Sequence, residues 1–217
     1  MKEAEDFRAA ARAALKGRWP EAILAGLIYS LLAGSSYQGA TLNISLNGGD
    51  SFLSSSAAAL IAGVILVSFL VFLIIGGAIQ LGYALFNLNL IDGKPAQVSQ
   101  LFSQFHRIGT GICMQLLLSI FILLWSLLLI IPGIIASYSY AMTPYILAEH
   151  PEYGALEAIR RSKEMMRGNK MRLFILNLSF IGWVILGALT CGLGMLAVTP
   201  YMQAATADFY REISAGN

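Results

Sequence analysis

Apolar residues dominate six stretches of the chain, roughly 20–37, 57–81, 110–131, 134–148, 171–190 and 193–208, and short mixed segments separate them. The run 110–148 settles how to divide them. As one helix it would extend about 58 Å at 1.5 Å per residue, nearly twice a hydrocarbon core of about 30 Å. Pro132-Gly133 falls where a single crossing would end, so two spans joined by a tight turn fit better. The run 171–208 repeats the problem, with Cys191-Gly192-Leu193-Gly194 as its turn. The pattern predicts an all-α polytopic membrane bundle of about six transmembrane helices in three tandem hairpins.

A short amphipathic helix is expected before each hairpin. In the first, Phe7, Ala10, Ala11, Ala14 and Leu15 share one helical face, with acids opening the segment and bases closing it. In the second, Val98, Leu101, Phe102 and Phe105 follow the Asp92-Gly93-Lys94-Pro95 turn. In the third, Ala155, Ile159, Ser162 and Met166 lie opposite Glu157, Arg160, Arg161 and Glu164. Each segment ends near a glycine (Gly17, Gly109, Gly168), and a tryptophan follows (Trp19, Trp125, Trp183). Thr143-Pro144-Tyr145 recurs as Thr199-Pro200-Tyr201, and Gly82-Tyr83 takes the corresponding place in the first hairpin. The chain therefore reads as one membrane domain, residues 1–217, built from parallel repeat units at about 4–91, 95–150 and 151–212.

Charge fixes an orientation. Only 12% of the residues are charged, against about 25% in soluble domains. The loops 35–56, 132–133 and 190–194 hold no Lys or Arg and a single acid, Asp50, so all 14 basic residues fall on the opposite side. The positive-inside rule then puts both termini in the cytoplasm of a plasma membrane. A five-span arrangement would place the cluster from Arg160 to Arg172 outside, which excludes it. Glu3, Glu5 and Asp6 are unlike the basic start of a signal peptide, so residues 22–33 are expected to be an uncleaved first span. Arg160, Arg161, Lys163, Arg167, Lys170 and Arg172 would meet anionic headgroups, at roughly 1 kcal/mol each near the surface.

Candidate chemistry is sparse. His106 and His150 are the only histidines, and neither has ligands at metal spacing, so no cofactor and no catalytic residue is assigned. A net charge of +2 without basic–aromatic interleaving gives no sign of a nucleic-acid partner. Cys113 and Cys191 fall on opposite faces of the predicted topology and are expected to be buried free thiols; Asn43-Ile44-Ser45 is a chance sequon. Polar residues within or near the spans (Gln80, Gln115, Asn177, Ser179, Gln203, Thr206, Asp208) suit interhelical hydrogen bonds or a polar path. Pro144 and Pro200 each leave unpaired the carbonyl four residues back, at Tyr140 and Leu196. The two kinks form a shared packing shape, or they surround a cleft lined by Tyr83, Tyr145 and Tyr201 with Thr143, Pro144, Thr199 and Pro200.

The stretch LWSLLLIIPGIIASYSYAMTPYILAEHPEYGALEAIRRSKEMMRGNK, followed by LSFIGWVILGALTCGLGMLAVTPY and ATADFY, resembles a bacterial integral-membrane family, domain-of-unknown-function family 975. The likeness runs from about residue 80 to 212, with LKGRWPEAIL as a second anchor. More distantly the layout resembles the membrane domain fused to some bacterial glycerophosphodiester phosphodiesterases, whose catalytic domain is absent here. The resemblance implies a membrane location and no known chemistry. The expected function is a non-enzymatic, lipid-interacting scaffold or accessory factor of the cell envelope; the alternative is a small transporter or permease for a lipid or amphiphile.

Overall fold

The computed structural model describes residues 2–32, 63, 75–190, 192 and 194–216. The loop 35–56, the Asn43 sequon, Cys191 and all but Gly63 of 57–74 lie outside these residues. Among the described residues every regular element is helical.

Helix α1 (Ala4–Leu15) starts where the Asp6 carboxylate accepts a hydrogen bond from the Glu3 amide, 2.8 Å away. It buries Phe7, Ala11 and Leu15 along one stripe. Gly17 then turns the chain at φ 81°, and Gly168 does the same at φ 79° after α7; these are conformations that a side chain disfavours. Helix α2 (Trp19–Leu32) follows, and α3 (Ile75–Ile91) runs ten residues past the expected end at 81.

The second amphipathic segment departs from its expected register. Val98–Arg107 is a 3-10 helix, so the inward face repeats every third residue: Val98, Leu101, Gln104 and Arg107. Phe102 points outward, 47% exposed. Gly82 lets α3 press directly against the Leu101 carbonyl, where a Cβ would collide with backbone. Gly82 is therefore a contact point rather than a kink.

Helix α4 (Ile108–Leu128) absorbs Gly109 in its first turn and is about 31 Å long. The chain reverses at one extended residue, Leu129 (φ −164°, ψ 149°), and α5 (Ile130–Tyr140) returns antiparallel. Pro132 and Gly133 thus lie in the first turn of α5 instead of forming the turn itself. Proline is tolerated there because first-turn amides have no intrahelical partner. After a break at Ala141-Met142 come α6 (Thr143–Glu149) and α7 (Ala155–Met165). Helices α8 (Lys170–Leu178) and α9 (Ile181–Leu189) are separated by Ser179-Phe180, and α10 (Met195–Ala215) is continuous.

Two helical runs among the described residues are long and apolar enough to cross a membrane, Val98–Leu127 and Lys170–Leu189, with mean window hydropathies of 2.1 and 1.9. The other expected spans fall short of that standard. Helix α2 meets the limit of the described residues, α5 and α6 are split, and α10 carries Gln203, Asp208 and Arg211 in its length.

The three short segments α1, Val98–Arg107 and α7 pack against different sets of helices. Helix α1 lies along α10 and touches α8; the 3-10 helix lies against α2 and α3; α7 lies against α4, α5 and α6. Where α3, α6 and α10 end, Arg211 reaches Asp92 (Nε to Oδ1 2.9 Å, Nη2 to Oδ2 2.7 Å) and Glu149, tying the three ends together.

Candidate functional site

Between these helices lies a cavity of about 500 Å³. Its wall takes Tyr29 and Ser30 from α2, Gln80 and Tyr83 from α3, Ser137 and Tyr138 from α5, Pro144 and Tyr145 from α6, Asn177 from α8, and Thr199 and Gln203 from α10. Every helix pair that the sequence divides into hairpins thus contributes.

The expected cleft residues separate into two groups. Tyr83, Pro144, Tyr145 and Thr199 line the cavity. The Tyr145 hydroxyl donates to Gln203 Oε1 at 3.0 Å, and the Tyr83 ring stacks on Tyr29 with centroids 4.5 Å apart. Tyr201 instead sits among Trp19, Phe180 and Trp183, and its hydroxyl donates to the Arg8 carbonyl at 3.2 Å. Pro200 packs against the backbone of Gly26, and Thr143 is fully buried. A helix explains the split: Pro200 and Tyr201 are one and two residues on from Thr199, so about 100° and 200° around the axis.

The two proline sites differ further. Pro144 stands in the first turn of α6, just after the break, whereas Pro200 lies inside α10. At the break, Ser162 of α7 donates to the Ser139 carbonyl (2.9 Å) and accepts from the Met142 amide (3.2 Å). A lone serine in an amphipathic stripe gave no sequence signal for that role. At the second break the Arg8 guanidinium donates to the Ser179 carbonyl at 3.3 Å.

The basic residues also divide. Arg160, Lys163 and Arg167 are exposed along one face of the α7 region, in line with the exposed Leu156. Arg161 pairs with Glu157 (3.3 Å) and lies over the Tyr153 ring (4.3 Å). Lys170 is half-buried, and Arg172 is turned inward onto Glu212 (2.8 Å) and the Phe209 ring. His150 meets Glu152 at 3.1 Å and stacks on Tyr153, beside a second cleft of about 510 Å³ that Glu149 and Glu164 also line. Cys113, expected to be buried, is exposed on the outer face of α4. Its neighbours on α4 include outward Leu116, Ile120, Leu123 and Leu127, so a small apolar thiol suits that face without burial.

Among the described residues, a cleft bearing tyrosine and amide side chains between apolar helices defines the class: a helical protein with membrane-length helices and a partly polar cavity. More particularly, the chain belongs to the family described as "Protein of unknown function (DUF975)", whose model matches residues 1–132 and 126–217. Neither a curated protein nor a solved structure matches it.

Proposed function

We propose that this is a non-enzymatic, multi-pass membrane protein that holds an amphiphile in its central cavity. In this reading six spans form three repeated hairpins, and both termini face the cytoplasm. The observation that carries it is the cavity itself: hydrogen-bonding side chains converge inside a molecule whose exterior exposes Leu123, Leu127, Ile131, Leu186 and Leu189. Such a volume falls within the range of small-molecule sites. The cyclic packing of α1, the 3-10 helix and α7 on successive hairpins supports the threefold repeat. The basic stripe Arg160, Lys163 and Arg167 supports contact with anionic headgroups on the cytoplasmic face.

Native mass spectrometry of the protein, extracted with its own membrane lipid, tests the reading. Ala141→Trp fills the cavity and is expected to release the bound amphiphile. Equal retention by both proteins would show that the lipid sits elsewhere.

A transport role is the second reading. Ala141 lines the cavity at one helix break, and Asn177 lines it two residues before the other. Interrupted helices flank the binding sites of many transporters. Reconstituted vesicles that move a labelled lipid between leaflets, and lose that activity with Ala141→Trp, would select this reading over simple retention.

A further inference from the structure

Building on the proposed amphiphile site, we infer that the cavity selects an uncharged headgroup bearing hydroxyl or amide groups, such as a diacylglycerol, over a phospholipid. Among its sixteen described lining residues none carries a charge at neutral pH. Residues 33–62 and 64–74, outside the described part, include no Lys or Arg and one acid, Asp50, so they bring no cation to the site. A phosphate buried there would lose its hydration without a guanidinium or ammonium to replace it.

The unused hydrogen-bonding capacity points the same way. Gln203 spends its Oε1 on Tyr145 and keeps its amide hydrogens free. Asn177 donates one long bond, 3.4 Å, to the Tyr138 hydroxyl and keeps its Oδ1 as an acceptor. Ser30, Ser137 and Thr206 each donate to a carbonyl of their own helix, which leaves their oxygens able to accept. The wall therefore offers donors and acceptors together. A phosphate only accepts, whereas a hydroxyl or amide headgroup both donates and accepts, as the wall does. The basic residues that suit phosphate lie elsewhere, at Arg160, Lys163 and Arg167.

The full chain, stripped of lipid in detergent, would be titrated with dioleoylglycerol and with dioleoylphosphatidylglycerol by native mass spectrometry. Dioleoylglycerol is expected to bind one to one, and Asn177→Leu and Gln203→Leu should each weaken it about three- to tenfold. Thr199→Val keeps the shape of the wall and tests the same polarity should Gln203→Leu fold poorly. Phosphatidylglycerol should bind without displacing the neutral lipid and should respond instead to Arg160→Gln with Lys163→Gln. If phosphatidylglycerol displaces dioleoylglycerol and is weakened by Gln203→Leu, the cavity holds an amphiphile but does not select a neutral one. If neither lipid responds to any cavity substitution, the amphiphile site itself falls.

Discussion

The hairpin from Ile108 to Glu149 and the hairpin from Lys170 to Ala215 carry the same Thr-Pro-Tyr, yet they break in opposite arms. In the first, α4 is continuous and the returning arm splits just ahead of Pro144. In the second, the outgoing arm splits at Ser179-Phe180 and the returning α10 runs unbroken through Pro200. Proline alone therefore does not decide where these helices open. A break persists where a neighbouring helix supplies partners for the freed backbone groups, and here each break has a different donor. Ser162 of α7 serves two groups at the first, and Arg8 of α1 serves one at the second.

Ser162→Ala should have the largest effect. It strands a buried carbonyl and a buried amide together, at about 3 kcal/mol of stability, because an unpaired buried group costs about 1–3 kcal/mol. Thermal melting in detergent measures it, and a shift no larger than that of an exposed α7 variant such as Lys163→Ala would break the comparison. Arg8→Met should cost less, about 1 kcal/mol, since it frees one carbonyl through one long hydrogen bond. The order of these two variants matters more than either size.

Substituting the prolines sharpens the contrast. Pro144→Ala removes a residue preset for a helix start and should destabilise by less than about 1 kcal/mol. Pro200→Ala restores an amide inside α10, facing the Leu196 carbonyl, while giving up the ring contact with Gly26. Hydrogen exchange separates them: the new amide at position 200 should be protected within α10, whereas the new amide at 144 lies in a first turn with no helical partner. Equal protection at both would mean that the two sites are alike after all.

Much of this was legible in residues 1–217 read as a string. Phe7, Ala11 and Leu15, and Ala155, Ile159 and Ser162, form buried stripes as their spacing predicts, because both segments are regular α-helices. The 3-10 helix departs from the predicted register because about 120° per residue, against about 100° in an α-helix, drifts by about half a turn over ten positions and carries Phe102 off the buried face. Pro132-Gly133 was expected to form the turn, but Leu129 makes the reversal three residues earlier, since proline tolerates a first helical turn as well as a loop. The cavity was only half legible. Tyr83 and Tyr145 stand out beside their Gly and Pro neighbours, and Gln80, Asn177, Gln203 and Thr206 as polar residues in apolar runs, but Tyr29 and Tyr138 reach it through packing between distant helices, which no local pattern encodes. Arg211 was visible as one basic residue among fourteen; its junction with Asp92 and Glu149 depends on three helix ends meeting.

That junction joins the broken arm of one hairpin to the continuous arm of the other, and it yields the smallest effect. Burial alone would raise the Glu149 carboxyl, but hydrogen bonds from Tyr210 (2.7 Å) and Arg211, with the guanidinium charge, outweigh it and hold the group below its ordinary value of 4.5. A carboxylate held low stabilises the folded state fully above its unfolded value, and the contribution fades as pH falls through the folded one. Melting temperature should therefore be insensitive to Glu149 ionisation at pH 6 to 8 and should decline as acid is added below about 4.5. Glu149→Gln keeps the shape and an acceptor for Tyr210 but removes the titration, so its profile should be flatter below that point. Because Glu149 and Arg211 are both partly exposed, the difference should shrink further in high salt. Profiles that fall in parallel for the two proteins would assign the acid sensitivity to other carboxylates and leave the two arms joined by packing alone.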